Sequence, residues 1–434
     1  MKFIYFHIDE RDRDLLVAKE LSRLFKEKNV KVFFGTRKTH KILNFFEWVF
    51  DVIIFPRPHF LSGYYGSKFN NWKCKIVCLP TENIGSILIN KFFFAKTALD
   101  LNYFDPKIKD RLPDLQFLWG SKQLKALKDT VPSETNRFYV SGHPRYHSLG
   151  NIQFKPRRSK PNIIFLSRST GLNDYLLRNP LELLMNTSRQ FVDKVHGNIK
   201  HPSNTIDKSG KTYTDSIMLA EIVDFISLMD NIRMIIKNRK KFGQVVIRPH
   251  PKENIKFWNK FSKQYGNSIL IDNLSLNLVK TFQKFDFCIT PPSTSLYDCV
   301  RVGCIPISNE LMSKDRPIFK GMWNENNIKL NNITKKPKSP EELLSILLNK
   351  NNEIDLNQIK KILKEECNYP EDQNSIKKIV DILHDKFLIN IPFSFKKMIV
   401  FKGLIIMKFL FVKLYFKFKQ APSSSDIIAE NCEF

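Results

Sequence analysis

The stretch QVVIRPHPKEN, residues 244–254, carries an apolar run straight into Arg248, Pro249, His250 and Pro251, a strand end expected to point Arg248 and His250 into a cleft as phosphate contacts. Prolines on both sides of a histidine remove backbone donors and fix φ. They hold the imidazole in one extended geometry, as a preorganised phosphate contact requires. The plain alternative is a turn carrying a surface histidine. A second chemical cluster lies about 40 residues on, in DFCITPPSTSLYDCVRVGCIPIS, residues 286–308. There an apolar run ends at two prolines and opens Ser293, Thr294 and Ser295 in front of a helical pattern. Hydroxyls and unpaired backbone N–H groups at a helix start suit an anion, although the same residues are ordinary N-caps. Asp298, one turn further, is placed either to reach a ribose hydroxyl or to lie on a solvated helix face.

Three more groups follow apolar runs. FLSRSTGLND, residues 165–174, offers Ser167, Arg168, Ser169 and Thr170 as candidate phosphate or acceptor contacts, or as helix caps. KIVCLPTENIGS, residues 75–86, places Thr81 and Glu82 at a strand tip, where Glu82 is a general base, a nucleophile or an ordinary loop acid. FYVSGHPRYH, residues 138–147, carries Gly142, His143, Pro144 and Arg145, candidate cleft contacts or a turn into a linker. His201-Pro202 follows no strand and reads as loop.

Other motifs fail on their context. SGKT at residues 209–212 has Thr205 where a P-loop needs its first glycine. Asp12 and Asp14 have the spacing of a metal-binding Asp-x-Asp, yet they sit where a helix begins and acids favour its dipole. There is no GxSxG and no HExxH, so neither a hydrolase elbow nor a zinc peptidase is supported. No metal site and no cofactor are expected.

The elements that position these groups alternate. KFIYFHI, DLLVAKELSRLFKEK, VKVFFG, VIIFP, KIVCLP and FLWGS run strand, helix, strand, with further strands to about residue 150. That order predicts a parallel sheet covered by helices on both faces. The pattern restarts with NIIFLSR and continues through QVVIRPH, SILID, DFCIT and CIPIS. The expected layout is α/β: a Rossmann-like domain at 1–154, a linker at 155–161 and a second Rossmann-like domain at 162–335. Helices at 336–385 follow, then a basic segment at 386–420 and a loose tail at 421–434. Two such halves are expected to face a central cleft, with ligands beyond the C-terminal ends of the strands. The His-Pro and Ser/Thr clusters are expected at neighbouring strand ends.

The chain's 434 residues and 42% hydrophobic content allow two or three domains with buried cores. Seventy Lys plus Arg against 43 Asp plus Glu give a formal charge of +27, which calls for an anionic partner. Nucleic acid is not expected, because no helix, zinc or RNP signature of base readout is present. Seven scattered cysteines fit a reducing compartment. The N-terminus lacks the pattern of a signal peptide and reads as a first strand. Residues 386–420 carry eight Lys and no acid among many apolar residues. They read as a helix on an anionic membrane surface rather than a span, with a core helix whose lysines snorkel to water as the alternative; on the first reading, deletion after about 386 is expected to release the protein from membranes and leave the cleft intact.

Together, the two Rossmann-like halves, the RPHP-EN stretch and the STS-helix stretch resemble GT-B glycosyltransferases that use CMP-activated acidic sugars, the bacterial sialyltransferases and Kdo transferases. ERDRDLLVAKEL, FLWGSKQ, SGHPRY, IRPHPKEN and TPPSTSLYD look like the surface carbohydrate biosynthesis protein family, over residues 10 to about 310. The resemblance implies a metal-independent transferase acting on a glycan or lipid-linked acceptor, cytoplasmic and peripheral on the inner membrane face. It assigns His250 and Ser293–Ser295 to the donor phosphate and nucleotide, and Glu82 to the acidic motif. That motif usually has two adjacent acids before a glycine, whereas here Glu82 is followed by Asn83, Ile84 and Gly85. Transfer of a polyol phosphate from a CDP-glycerol-type donor, and a non-catalytic membrane-associated glycan-assembly protein, are the two alternatives.

Overall fold

A computed structural model of the chain describes residues 1–8, 14–36, 45–56, 72–81, 113–130, 132–154, 158–173, 213–266, 268–274, 277–314, 316, 328–349 and 355–418. It divides into two units, one of residues 1–148 with 363–434 and one of residues 149–362.

In the first unit the order is β1 (Lys2–Ile8), α1 (Leu16–Glu27), β2 (Val30–Thr36), β3 (Val52–Phe55), β4 (Lys75–Cys78), β5 (Leu115–Leu118), α2 (Ser121–Thr130) and β6 (Phe138–Val140). The strands form one parallel sheet in the order β2-β1-β3-β4-β5-β6. β1 is apolar along nearly its whole length because both its faces are covered. Ile4, Phe6 and Ile8 point to one side, under Val17, Ala18, Leu21 and Phe25 of α1. Phe3 and Tyr5 point to the other, against Phe33 and Phe50.

The second unit runs β7 (Ile163–Leu166), α3 (Tyr213–Lys237), β8 (Val245–Arg248), α4 (Ile255–Gln264), β9 (Leu270–Ile271), α5 (Leu278–Phe282), β10 (Phe287–Thr290), α6 (Ser295–Arg301), β11 (Ile305–Ser308), α7 (Lys329–Ile333) and α8 (Pro340–Leu348). Its sheet is also parallel, ordered β11-β10-β7-β8-β9. α3, α4 and α8 cover one face through Ile232, Ile235, Trp258, Phe261, Leu343 and Leu347. Phe282, Cys288, Cys299 and Cys304 pack on the other.

The remaining helices are α9 (Leu356–Cys367), α10 (Ser375–Leu383) and α11 (Phe395–Phe418). Here the structure departs from the expected layout. The run 336–385 is shared, since α8 belongs to the second unit while Ile376, Ile379, Val380 and Leu383 of α10 join the core beneath α1. Of the stretch expected as a linker, the described residues 158–161 are tied to the second sheet. Arg158 binds Asp286, and Arg301 donates to the carbonyls of Leu149 and Gly150, so the second unit begins at residue 149. Gly303, at φ +74°, has room only for a hydrogen, because a Cβ there would stand 2.0 Å from the Gln153 carbonyl.

The basic segment 386–420 is in part a core element, which corrects the reading of a surface helix alone. Leu388 lies in the core under α1, and Phe401 and Leu404 of α11 pack on Phe3 and Phe50. Lys397 Nζ holds Asp51 Oδ1 at 2.6 Å, and the second oxygen of Asp51 accepts the Phe3 backbone N–H. Among the described residues no helix is long and apolar enough to cross a membrane.

Candidate functional site

In a parallel α/β sheet the crevice for a ligand opens where neighbouring strands send their connections to opposite faces. In the second sheet that point falls between β7 and β10. β7 therefore stands between the His-Pro strand β8 and the Ser/Thr strand β10. The expectation that those two clusters occupy adjacent strand ends is corrected: the loop after β7 is the central one, and both others meet it.

On the β8 side, the backbone N–H of His250 donates to Ser167 Oγ at 3.3 Å. His250 Nδ1 accepts the Lys252 N–H at 3.2 Å, which leaves the proton of a neutral ring on Nε2. The ring is half-buried and suited to donate to an anion. On the β10 side, Arg168 Nη1 donates to the Pro292 carbonyl at 3.2 Å, next to Ser293. Ser293 Oγ accepts both the N–H and the O–H of Ser295, at 3.2 and 2.8 Å. Ser295 is buried, while Ser293 and Thr294 are partly exposed. The three sequence clusters thus form one continuous rim.

Two members of that rim face inward. Arg248 is 5% exposed, and its Nη1 donates to Asp272 Oδ2 at 2.5 Å and to Thr281 Oγ1 at 2.8 Å. Its charge is met within the unit, unlike the outward phosphate contact expected of it. Asp298 is 1% exposed and acts on the buried Cys288 thiol, whose pKa is raised by burial first and by that carboxylate among the lesser causes. It does not lie on a solvated helix face.

The structure also brings in two carboxylates given no role in the sequence reading. Glu253 accepts Ser167 Oγ–H at 2.8 Å, Ser169 N–H at 2.8 Å and Trp258 Nε1–H at 2.7 Å. Glu221 of α3 accepts Thr170 Oγ–H at 2.9 Å and Gly171 N–H at 2.7 Å. Burial pushes both carboxyls up, against the pull of these donors. Glu253 could have been suspected from its place three residues after His250; Glu221 lies about 50 positions from its partners.

In the first unit, β4 delivers Thr81 to a fully buried position, where its hydroxyl donates to Asp14 Oδ1 at the start of α1. Asp14 therefore has a partner of its own, beyond the helix dipole. Glu82 lies outside the described residues. Trp119 Nε1 donates to the Pro80 carbonyl at 2.7 Å, and its ring stacks on His143 at 3.9 Å. His143 is 1% exposed, enclosed by Trp119 and Tyr146, with Nδ1 accepting the Arg145 N–H. It is an interior residue that shapes the turn, with Gly142 at φ +90° close against Asp372. Among the described residues, no group of three or more His, Cys, Asp or Glu is placed to hold a metal ion.

No family model matches the sequence, and no curated protein matches it. Solved structures do. The wall teichoic acid polymerase TagF, in its H548A form, aligns over 90% of both chains at 10% identity and TM-score 0.52. TagF H444N soaked with CDPG aligns over 88% of both at 10% identity and TM-score 0.50. An S. aureus MnaA-UDP structure covers 91% of this chain and 99% of its own at 15% identity, with TM-score 0.48. The fold is GT-B. The two parallel sheets described above are its two Rossmann-like domains.

Proposed function

We propose that this GT-B chain is a transferase that takes a cytidine-activated donor at the strand ends of its second unit and passes the activated group to a surface-polysaccharide or lipid-linked glycan acceptor. The observation that carries this reading is the convergence of the three loops after β7, β8 and β10 at the topological switch point, with His250 and Arg168 on the rim. The first form of the reading is transfer of an acidic sugar from a CMP-activated donor, in which the anomeric C–O bond breaks and CMP departs as a phosphate monoester. The second is transfer of a polyol phosphate from a CDP donor, in which a pyrophosphate P–O bond breaks and CMP departs again. Both place the new negative charge on the cytidine phosphate, where His250 Nε2–H and the Arg168 guanidinium stabilise it. The CDPG carried by one TagF structure favours the second form. Glu82, leaving the anchored Thr81, is the proposed acceptor-side acid, deprotonating the acceptor hydroxyl.

The decisive experiment is a thermal-shift series with CMP, CDP, UDP, GDP and ADP, on wild type and His250→Ala. Ligand at a hundred times its Kd stabilises a folded protein by about 2.7 kcal/mol. A shift with CMP or CDP that disappears in His250→Ala is the expected result. No shift with any nucleotide in a folded sample overturns the reading in favour of a non-catalytic glycan-assembly protein. Incubation with CMP-sugars or CDP-glycerol then separates the two forms by product, a glycoside or a phosphodiester.

The acceptor side of the proposal includes an anionic membrane. α11 uses Phe401 and Leu404 against the sheet, while Phe395, Ile399 and Ile406 stand out at 63%, 53% and 59% exposure. Their spacing of four and seven puts them on one stripe opposite the docked one. Lysines without acids accompany that stripe, a composition suited to anionic lipid at the inner membrane face. Ile399→Asp with Ile406→Asp is expected to abolish flotation with anionic vesicles and leave the melting temperature of the protein unchanged.

A further inference from the structure

The loop after β7 looks in sequence like a phosphate cradle, because Ser167, Ser169, Thr170 and Gly171 supply hydroxyls and backbone N–H groups close together. In the fold, those donors are already taken. Ser167 Oγ–H and Ser169 N–H go to Glu253, and Thr170 Oγ–H and Gly171 N–H go to Glu221. Two internal carboxylates, 3% and 5% exposed, occupy the place an external anion would take. The loop is therefore clamped from within, while Arg168, half-buried, reaches across to the Pro292 carbonyl beside Ser293.

Glu253 does more than clamp its own side. Its Oε2 also accepts Trp258 Nε1–H of α4, and its backbone N–H donates to the His250 carbonyl at 2.8 Å. Ser167 Oγ, which gives its proton to Glu253, receives the N–H of His250. A directed chain runs from the His250 backbone through the Ser167 hydroxyl to the Glu253 carboxylate. A second tie joins the same two loops, where Asn254 N–H meets the Asn173 carbonyl at 2.9 Å and Asn173 Nδ2 meets the Asn254 carbonyl at 3.2 Å. Burying carboxylates is expensive unless their donors are well placed, and apolar packing would fix a loop at less expense. Carboxylates with these donors instead set the directions of hydroxyls and N–H groups, and here they fix the backbone at His250 from which its ring projects.

We propose that Glu253 is a positioning residue that orients His250 through Ser167, with Glu221 anchoring the rest of the loop so that Arg168 and His250 face the donor phosphate together. This rests on the reading of the second unit as a nucleotide-donor site.

The test uses the full chain as wild type, Glu253→Gln, Ser167→Ala, His250→Ala and the double variant H250A/E253Q. Each is checked for a cooperative melt. Amide exchange is followed without nucleotide in peptides covering residues 166–173 and 249–254, the His250 ring resonance is recorded, and CDP and CMP are titrated by calorimetry. Glu253→Gln is expected to speed exchange in both peptides, to shift the His250 resonance and to weaken nucleotide binding about tenfold or more, the scale on which misplaced contacts act. Ser167→Ala, a smaller change that keeps the fold where Glu253→Gln fails to, is expected to move the same readouts in the same direction. In the His250→Ala background the loss from Glu253→Gln should nearly vanish, because the two act on one contact. Equal losses in both backgrounds, or an unmoved ring resonance, overturn the positioning role and leave only a brace. Wild-type binding that Glu253→Gln and Ser167→Ala leave unchanged overturns it as well, without touching the donor reading. Faster exchange and a shifted resonance in a protein whose wild type binds neither nucleotide overturn the donor reading and uphold the coupling of Glu253 to His250.

Discussion

Arg248 and His250 are two positions apart on one strand end, yet burial gives them different tasks. Arg248 is held by Asp272 and Thr281 inside the unit, while His250 stays half-buried at the rim. Asp272→Ala leaves a buried guanidinium without its carboxylate, and removal of one partner from such a pair costs about 3–5 kcal/mol. Urea denaturation should show that loss directly, whereas a rim contact such as His250→Ala should leave stability nearly unchanged and remove nucleotide stabilisation. Glu221 supplies a pH dependence. Burial raises its folded pKa above the ordinary 4.5, so between that value and the folded one the native state holds a proton that the unfolded chain has released. Its contribution to stability therefore falls as pH rises through that window. Wild type should lose stability relative to Glu221→Gln over that rise, measured by denaturation at a series of pH values. Both residues carry the same lesson: an Arg or Glu is legible as a charge in sequence, but whether that charge faces water or a partner is decided by packing.

α11 shows the same point at the scale of an element. It is apolar on two opposite sides, one covering the first sheet through Phe401 and Leu404 and the other exposed through Phe395, Ile399 and Ile406. No single apolar stripe stands out in its sequence, so its docked half is hidden by its exposed half. Deletion after residue 386, expected from sequence to release the protein from membranes and leave the cleft intact, also uncovers Phe3, Phe33 and Phe50. Phe401→Ala alone is expected to cost about 3–5 kcal/mol, the range for a large aromatic removed from a core. A chemical denaturation curve checks it, with Ile399→Ala as the exposed control. The strands, in contrast, were plain from their runs of β-branched and aromatic residues, because elements buried on both faces need continuous apolar sequence.

For the whole molecule, the first unit is closed by chain that comes last. α10 lies in the core under α1, and α11 lies across the opposite face of the same sheet. A fragment ending at residue 154, the border suggested by sequence, is expected to unfold without cooperativity. Residues 1–148 joined by a short linker to 363–434 should unfold in a single transition, and a fragment of 149–362 should do so alone; circular dichroism in urea separates these outcomes. The sequence by itself determined the two parallel α/β sheets, the strands and helices within them, and the three chemical clusters at His250, Ser293–Ser295 and Ser167–Thr170. These follow from local periodicity and from the rule that connections leave the C-terminal ends of strands. Only the tertiary structure decided the order of the strands, which put the β7 loop between the other two. It also decided the partners of Arg248, Glu253 and Glu221, and the return of the C-terminal helices to the first sheet. Apart from Trp258, five residues from Glu253, those are matters of residues 24 to several hundred positions apart meeting in a core, and local pattern holds no record of which distant surface buries which.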